Sequence, residues 1–276
     1  MIPVLFHIFE TVKCIRSVLF LVGCMLALPS DAQAVHGHAH NDYTHDRPLF
    51  SALEHGLSSI EIDVHAHDGR LVVSHGSMRL RRKPGIRDLY LRPVDSLIEA
   101  GSDLLPGHLV LMIDLKSPTS EALPLLLHAI RPLHDHLSFA IDGDVHHRDL
   151  SILVSGHGFS ADDIDLEDTV RIFLDGRPTG SCAQRGLPAE LIPRISARYG
   201  DLFAWNGRGE MPETDRAALD RLLQLHAPCG QRLRFWAMPE DEMLWTTFSQ
   251  AGVAWLNIDD HDRFHSFLSP TETDQP

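Results

Sequence analysis

Eight short runs of β type alternate with longer stretches of helical periodicity along most of this chain. Strands that keep alternating with helices form parallel sheets. Eight such units predict an α/β fold, a TIM-type (β/α)8 barrel in one domain, with its active site at the carboxyl ends of the strands. The predicted strands are 35–41, 58–63, 109–114, 151–155, 170–174, 192–196, 232–236 and 253–257. The predicted helices are 48–55, 121–133, 213–226, 241–250 and 261–268.

The first 34 residues have the pattern of a secretory signal peptide. Lys13 and Arg16 precede an apolar run over 17–28, and Ala-Gln-Ala at 32–34 provides a small-residue cleavage site. A run of about 12 apolar residues is too short to span a bilayer. The sequence therefore predicts a signal peptide over 1–34 and export of the protein, either to the periplasm or as a secreted protein.

The predicted mature chain, 35–276, is about 240 residues long, which is enough for one large α/β barrel. Residues 21–24 resemble a lipobox, so a lipoprotein anchored at Cys24 is the alternative to cleavage after Ala34. Cys182 and Cys229 are the two cysteines outside the leader. An oxidising compartment permits a disulfide between them, and the sequence leaves their separation open.

The charge balance argues against a nucleic-acid partner. The chain has 24 Lys and Arg against 38 Asp and Glu, a net charge of −14. Affinity for a duplex requires a basic surface that neutralises phosphates, and the one short basic cluster, 79–83, is interpreted as a solvated loop. An acidic protein that handles an anionic substrate needs a metal ion or locally placed cations. The sequence implies no protein partner.

Histidines are concentrated at one end of the predicted domain. Eight of the 19 fall within the 40 residues that begin at His36. Alternation along an extended strand places His36, His38 and His40 on one face. Imidazoles placed in this way can bind a metal or transfer protons near neutral pH. His75 ends another apolar run, 71–74.

Acidic residues recur at the predicted strand ends. Glu61 and Asp63 are two residues apart in the second strand, so both carboxylates project from one face. Buried carboxylates are costly without a cation, and we favour a hard divalent ion over a salt-bridged structural pair because oxygen ligands suit Mg²⁺ or Ca²⁺. Asp114 could be a third ligand, and Lys116 could neutralise a phosphate oxygen.

These motifs together resemble the glycerophosphodiester phosphodiesterase and phosphatidylinositol-specific phospholipase C-like superfamily. The segment HAHNDYTHDRPLFSALEHGLSSIEIDVHAHDGRLVVSHG, 38–76, resembles its opening: a catalytic His, an ExD pair, then DG and a second His. The later motifs LMIDLKS, FLDGRP, FAWNGRGEMP, RFWAMPE and WLNIDD are more like a short single-domain bacterial form. The HxxN, ExD, His and DLK pattern is also similar to spider-venom sphingomyelinase D. The resemblance spans nearly all of 36–268.

The resemblance implies roles for eight side chains and one divalent cation, Mg²⁺ or Ca²⁺. His40 competes with His38 for the first catalytic role, and the HxxN spacing to Asn41 favours His38. Gly76 stands where many relatives have Asp, and the insertion of the larger glycerophosphodiesterases is absent, so the head group of the substrate stays open. The implied roles are catalysis for His38 and His75, metal binding for Glu61, Asp63 and Asp114, and substrate binding for Lys116, Asn41 and Trp236.

The function expected from this pattern is that of an exported metal-dependent phosphodiesterase. Its substrates would be glycerophosphodiesters or the head groups of phospholipids and lysophospholipids, with peripheral contact to a membrane. One alternative is a metal-dependent amidohydrolase or a histidinol-phosphatase-like phosphoesterase, which also carry HxH on the first strand, although the ExD and DLK motifs have no role there. Another is a catalytically inactive exported binding protein, against which the retention of two histidines argues.

Overall fold

Eight parallel strands close into a barrel in the computed structural model, which describes residues 36–166 and 168–269. The strands in chain order are β1 (His36–Ala39), β2 (Ser59–His67), β3 (Arg70–Val73), β4 (Leu109–Leu115), β5 (Phe139–Ile141), β6 (Asp144–His146), β7 (Leu150–Gly156), β8 (Phe173–Gly176), β9 (Arg194–Arg198), β10 (Arg232–Trp236) and β11 (Trp255–Ile258). The helices are α1 (Phe50–Glu54), α2 (Arg92–Glu99), α3 (Thr119–Ala129), α4 (Tyr199–Leu202), α5 (Glu213–His226), α6 (Glu242–Ala251) and α7 (His261–Leu268).

The barrel runs in the order β1, β2, β4, β7, β8, β9, β10 and β11, and β11 pairs with β1 to close it. His38 marks the closure, because it lies opposite Ser59 on one side and opposite Asn257 on the other. The (β/α)8 prediction is confirmed. Each of the eight predicted strand regions overlaps a barrel strand. The fifth begins later than predicted, because Val170 pairs with Ala140 outside the barrel.

Two hairpins add to the barrel. β3 pairs antiparallel with β2 through a two-residue turn at Asp68 and Gly69, both of which have positive φ. Such a turn needs residues that tolerate the left-handed region, and Asp-Gly is a favoured pair. β5 and β6 form the second hairpin.

The helical layer is uneven around the barrel. α5 and α7 have the predicted bounds, whereas α2 and α4 were not predicted. Among the described residues, only short 3-10 turns lie between β7 and β8 and between β8 and β9, which is why helices could not be recognised there. In this thinly covered region a disulfide joins Cys182 and Cys229, whose Cα atoms are 6.3 Å apart.

The inside of the barrel is polar, whereas apolar side chains fill the space between the strands and the helices. Tyr199, Phe203, Phe235 and Phe248 pack there in tilted and edge-to-face pairs with ring centroids 5.0 to 5.8 Å apart. Among the described residues no helix is long and apolar enough to cross a membrane. The predicted signal peptide over 1–34 and the alternative anchor at Cys24 lie outside the described residues and stay predictions.

Candidate active site

A cavity of about 740 Å³ opens at the carboxyl ends of the barrel strands. Side chains from six strands or the residues just after them reach its wall. They are His40 after β1, Glu61 on β2, Asp114 on β4, Ser155 on β7, Asp175 on β8 and Trp236 on β10. This is the end of a TIM-type barrel at which active sites lie.

Glu61, Asp63 and Asp114 form a cluster of three carboxylates at this end. Each offers an oxygen within 4.8 Å of the others. They meet because β2 and β4 are parallel and in register, so Asp63 lies directly opposite Asp114. One oxygen of Asp63 and one of Asp114 are buried without a hydrogen-bond partner in the part of the chain that the structure describes. Buried carboxylate oxygens without donors suit a hard divalent cation, so the three residues fit the predicted metal site.

The ionisation of these groups follows from their neighbours. Burial would raise the pKa of Glu61, but the adjacent Arg234 guanidinium together with His38 and His40 outweighs burial and holds that pKa below its usual range. Burial raises the pKa of Asp114. Burial alone would lower the pKa of Lys116, but the hydrogen bond to Asp114 and the carboxylate charges raise it. Glu61 and Lys116 are therefore both charged at neutral pH.

Asp63 connects three other groups at the site. Its Oδ2 is 2.7 Å from His75 Nδ1, 2.8 Å from the Tyr43 hydroxyl and 3.3 Å from Lys116 Nζ. Lys116 Nζ also lies 2.6 Å from Asp114 Oδ2. Because all these donors meet Oδ2, the Oδ1 atom of Asp63 is left for another ligand.

His75 stands at the edge of the cavity with its ring 74% exposed. The Ser74 N–H donates to the Asp63 carbonyl and the Ser74 hydroxyl to the Gly76 carbonyl, which fixes the start of this loop. The hydrogen bond of Nδ1 to Asp63 leaves Nε2 available for proton transfer.

His38, the residue that the spacing favoured, does not line the cavity. Its ring is 0% exposed, inside the barrel. Nδ1 lies 2.7 Å from Ser59 Oγ and 3.2 Å from an Arg194 nitrogen, and Nε2 lies 3.0 Å from Glu61 Oε2. Burial, followed by the charge of Arg234, lowers its pKa well below the ordinary value. Both ring nitrogens are engaged, and the residue holds Glu61 from beneath.

His40 reaches the cavity instead. His40 follows β1 and is the next residue after His38 that points inward. Its Nε2 lies 4.0 Å from Glu61 Oε1, and its Nδ1 lies 2.7 Å from Asp259 Oδ1. Burial lowers the pKa of His40, but the hydrogen bond to Asp259 and the charge of Glu61 outweigh it, and the pKa lies above its ordinary value. The sequence contained this histidine but gave no measure of its depth along the barrel.

The other two residues implied to bind substrate also line the cavity. Asn41 has a left-handed backbone, φ 50°, which Asn tolerates better than most residues. Its side-chain amide lies 3.1 Å from His40 Nε2, and its carbonyl oxygen accepts from Tyr43 at 2.6 Å. Trp236 is 38% exposed at the rim, so an apolar surface faces the opening.

The cavity wall contains cations that the sequence reasoning did not select. Arg234 is buried beside Glu61 and bonds Asn257 Oδ1 through Nε at 3.1 Å. Arg177 is held by Asp175 Oδ2 at 3.0 Å and Ser155 Oγ at 3.0 Å. The alternation in Arg-Leu-Arg-Phe-Trp of β10 places Arg234 on the same inward face as Trp236 and was the available signal. The FLDGRP motif was given no site role from the sequence, yet its Asp175 and Arg177 line the cavity.

Gly156 permits the close approach of β4 and β7 beneath this wall. It has φ 104°, and a Cβ there would collide with Asp114 Oδ1 and the Leu115 backbone. Only glycine combines this backbone with so little bulk. The position of the Asp114 carboxylate therefore depends on Gly156.

Comparisons with known proteins agree with the predicted superfamily. A family model described as an AIM6-like phosphodiesterase domain matches residues 27–104. Altered inheritance of mitochondria protein 6 of Eremothecium gossypii is 26% identical over 275 residues, covering 83% of this chain and 68% of that protein. Its homolog in Arthroderma benhamiae is 25% identical over 262 residues, covering 81% and 80%.

The fold has a counterpart among solved structures. A glycerophosphodiester phosphodiesterase from Parabacteroides distasonis superposes with a TM-score of 0.54 at 14% identity, covering 84% of this chain and 97% of that one. This likeness concerns the barrel fold. The family model, whose description names a phosphodiesterase domain, agrees with the resemblance predicted from the sequence.

Proposed function

We propose that this protein is an exported, metal-dependent phosphodiesterase that cleaves glycerophosphodiesters or the head groups of phospholipids and lysophospholipids. The observation that carries the proposal is the cluster of Glu61, Asp63 and Asp114, two of which have buried oxygens without donors. A histidine lies on each side of that cluster. Paired proton-transfer groups beside a cation site meet the needs of phosphodiester cleavage.

The carboxylates would hold one Mg²⁺ or Ca²⁺ ion. When bound, the cation would supply positive charge to the nonbridging phosphate oxygens. Lys116 would add a second positive charge from the same wall, since its ammonium is already directed at Asp63 and Asp114. Oxygen ligands favour these hard cations over Zn²⁺.

Two histidines would move the protons. We assign His40 to the first role in place of His38, because His40 lines the cavity and His38 is sealed beneath Glu61. One of His40 and His75 accepts the proton of the attacking hydroxyl, and the other donates a proton to the oxygen that leaves phosphorus. Attack by water yields a monoester and an alcohol, whereas attack by a hydroxyl of the substrate yields a cyclic phosphate and an alcohol.

The loop after His75 gives the site a surface for phospholipid. Residues 79–83 carry four basic side chains, with no salt bridge to any of them among the described residues, and Met78 is 77% exposed. Because the protein is acidic overall, this basic loop is the part of its surface that suits an anionic membrane. Peripheral membrane contact at residues 78–83 is part of the proposal.

The metal ligands favour a phosphodiesterase over an amidohydrolase. Zinc-dependent amidohydrolases assemble histidine ligands, whereas the one group of three or more candidate ligands in 36–166 and 168–269 consists of carboxylates. A binding protein without catalysis would have no use for His75, which stands exposed with Nδ1 fixed by Asp63.

Product analysis tests the proposal directly. Purified protein is incubated with glycerophosphodiesters, lysophospholipids and phosphatidylinositol, after EDTA treatment and after adding Mg²⁺ or Ca²⁺, and products are identified by phosphorus NMR. We expect cleavage that EDTA abolishes, that a cation restores and that His75→Ala lowers by at least ~10²-fold. A folded, metal-loaded protein that cleaves none of these phosphodiesters would contradict the proposal.

A further inference from the structure

A second cavity, of about 760 Å³, opens at the opposite end of the barrel. It lies at the amino ends of the strands, and the ring of His38 stands between its floor at Arg194 and Glu61 of the carboxylate cluster. Its wall includes His36 of β1, Arg194 of β9, Arg232 of β10 and Trp255 of β11. The proposed phosphodiesterase mechanism uses none of these residues.

Arg194 is a buried cation that pairs with no carboxylate of residues 36–166 and 168–269. It is 2% exposed, and no acidic oxygen of the described residues lies within 4.0 Å of its guanidinium. Its terminal nitrogens contact the neutral partners His38 at 3.2 Å and Ser59 Oγ at 2.9 Å, and its Nε has no hydrogen-bond partner. The Trp255 ring lies 4.3 Å from the guanidinium carbon.

The acidic side chains nearest to Arg194 are Glu61 and Asp175, and both are already paired with other groups. Glu61 is bonded to Arg234, and Asp175 to Arg177 and Ser196. Burial lowers the pKa of Arg194 to about 9, so it still carries its charge at neutral pH. A charged group buried without a counter-charge is costly, and a cation at the other end of the barrel would add repulsion.

The wall of this cavity carries further cationic or titratable groups, which are His36, His108, His147, Arg148 and Arg232. Arg232 is exposed, with no salt bridge among the described residues, and it and Arg194 both act, after burial, to lower the pKa of His36. Asp149 and Glu190 also line the wall, but neither lies within 4.0 Å of an arginine nitrogen, and Asp149 is 3.8 Å from His136. The deep part of this cavity is thus locally positive in a protein of net charge −14.

We propose that this cavity is an anion-binding site that takes a small oxyanion, a phosphate or a carboxylate group, between Arg232 at the mouth and Arg194 at the floor. Arginine suits such a ligand because its guanidinium is charged and carries several N–H donors. In Arg194 the Nε–H is the donor without a partner among the described residues, since the terminal nitrogens contact His38 and Ser59. The bound anion would supply the counter-charge that Arg194 lacks. This site is independent of the proposed catalytic function.

The chain offers one reporter for each cavity. Trp255 lines the anion site and Trp236 lines the catalytic cavity, and the protein has four tryptophans in all. The full-length protein is labelled with ¹⁵N, treated with EDTA to weaken binding at the catalytic cavity, and titrated with inorganic phosphate at constant ionic strength. Parallel titrations use acetate and chloride, and Trp255→Phe and Trp236→Phe assign the two indole N–H signals.

We expect the Trp255 signal to shift saturably with phosphate or acetate but not with chloride, and whichever oxyanion binds more tightly identifies the ligand class. Arg232→Gln should weaken binding roughly tenfold, the scale of one lost charge-assisted interaction. The matched control, Arg221→Gln, removes an exposed arginine of α5 outside this cavity and should leave the affinity unchanged.

Arg194→Met should abolish the saturable shift if the variant folds, as judged by circular dichroism. If this variant does not fold, the affinity of Arg232→Gln for phosphate or acetate still tests whether the anion binds in this cavity. A Trp255 signal that shifts with neither oxyanion, or that shifts equally in wild type and Arg232→Gln, would overturn the proposal. Neither result would bear on phosphodiester cleavage, which the Trp236 signal and the product analysis report.

Discussion

His40 Nδ1 lies 2.7 Å from Asp259 Oδ1 across the seam where β11 closes against β1. The two residues are far apart in sequence and meet only because the barrel is closed. Glu240 holds the Asp259 segment by accepting its backbone N–H and that of Asp260. A carboxylate on Nδ1 fixes the orientation and tautomer of an imidazole, and here it turns Nε2 toward the cavity, where the Asn41 amide lies 3.1 Å from it. Asp259 is therefore a positioning residue for His40.

Substitution of the two neighbouring histidines should separate their roles. We expect His40→Ala to lower kcat by at least ~10²-fold while the fold is kept, because this ring reaches the cavity. Asp259→Asn should lower kcat by a smaller factor, with KM little changed, because it acts through His40. His38→Asn should chiefly lower thermal stability, since it removes contacts to Ser59 and Glu61. Steady-state kinetics and thermal unfolding measure these effects, and a folded His38→Asn with lower kcat than His40→Ala would reverse the assignment.

Cation binding should be visible without any substrate. A ligand present at ~100 times its Kd stabilises the folded state by about 2.7 kcal/mol. We expect Mg²⁺ or Ca²⁺ to raise the Tm of wild type, and Asp63→Asn or Asp114→Asn to remove that rise. Differential scanning fluorimetry gives the measurement, with the exposed Glu99→Gln as the matched control. A cation-induced rise that survives in both aspartate variants would place the ion elsewhere.

The basic loop should bind anionic vesicles. Each Lys or Arg near an anionic surface contributes about 1 kcal/mol, so Arg81→Gln with Arg82→Gln should weaken partitioning at least ~10-fold. The control pair Arg131→Gln with Arg221→Gln removes the same charge from exposed positions outside this loop. Vesicle sedimentation measures the bound fraction of each variant, with vesicles that contain phosphatidylserine and with vesicles of phosphatidylcholine alone. Equal binding by both double variants would show that residues 78–83 are not the contact.

Stability should fall in mildly acidic solution because of His261. Burial first, then the neighbouring His45 and His55, lower its pKa to about 4, against the weaker opposite effect of Asp260 and Asp262. The unfolded chain takes up this proton near pH 6.5, so this stabilisation is complete above pH 6.5 and is lost as the pH falls from 6.5 toward 4.

In that window His261→Gln should reduce the slope of unfolding free energy by up to about 1.4 kcal/mol per pH unit. Urea unfolding at pH 4.5, 5.5, 6.5 and 7.5 provides the comparison. The exposed His128→Gln is the control and should keep the wild-type slope. An unchanged slope in His261→Gln would mean that this ring binds its proton in the folded state too.

Much of the site followed from local pattern. A side-chain period of two along β2 and β4 placed Glu61, Asp63 and Asp114 on inward faces, and the structure brings them together. The eightfold alternation of strands and helices predicted the barrel and the end at which these residues would meet. Both inferences depend on residues close in sequence and on a fixed rule for parallel strands.

Other features were decided only by the closed barrel. Period two puts His38 and His40 on the same face, and it does not tell which one lies under the floor and which one reaches the cavity. That depth is set by the pairing of β1 with β2 and β11, which are distant in sequence. The same holds for Asp259 beside His40, for the disulfide of Cys182 with Cys229 and for the unpaired charge of Arg194.

The sequence by itself thus determined the architecture and the chemical types of the site, because strand periodicity and side-chain chemistry are local properties. Tertiary structure decided which of several equivalent residues is buried, exposed or paired. The physical reason is that the burial of a side chain, and the charge that faces it, depend on the side chains that neighbouring strands, distant in sequence, place around it. Desolvation at that point makes His38 a neutral support for Glu61 and leaves His40 and His75 at the open end.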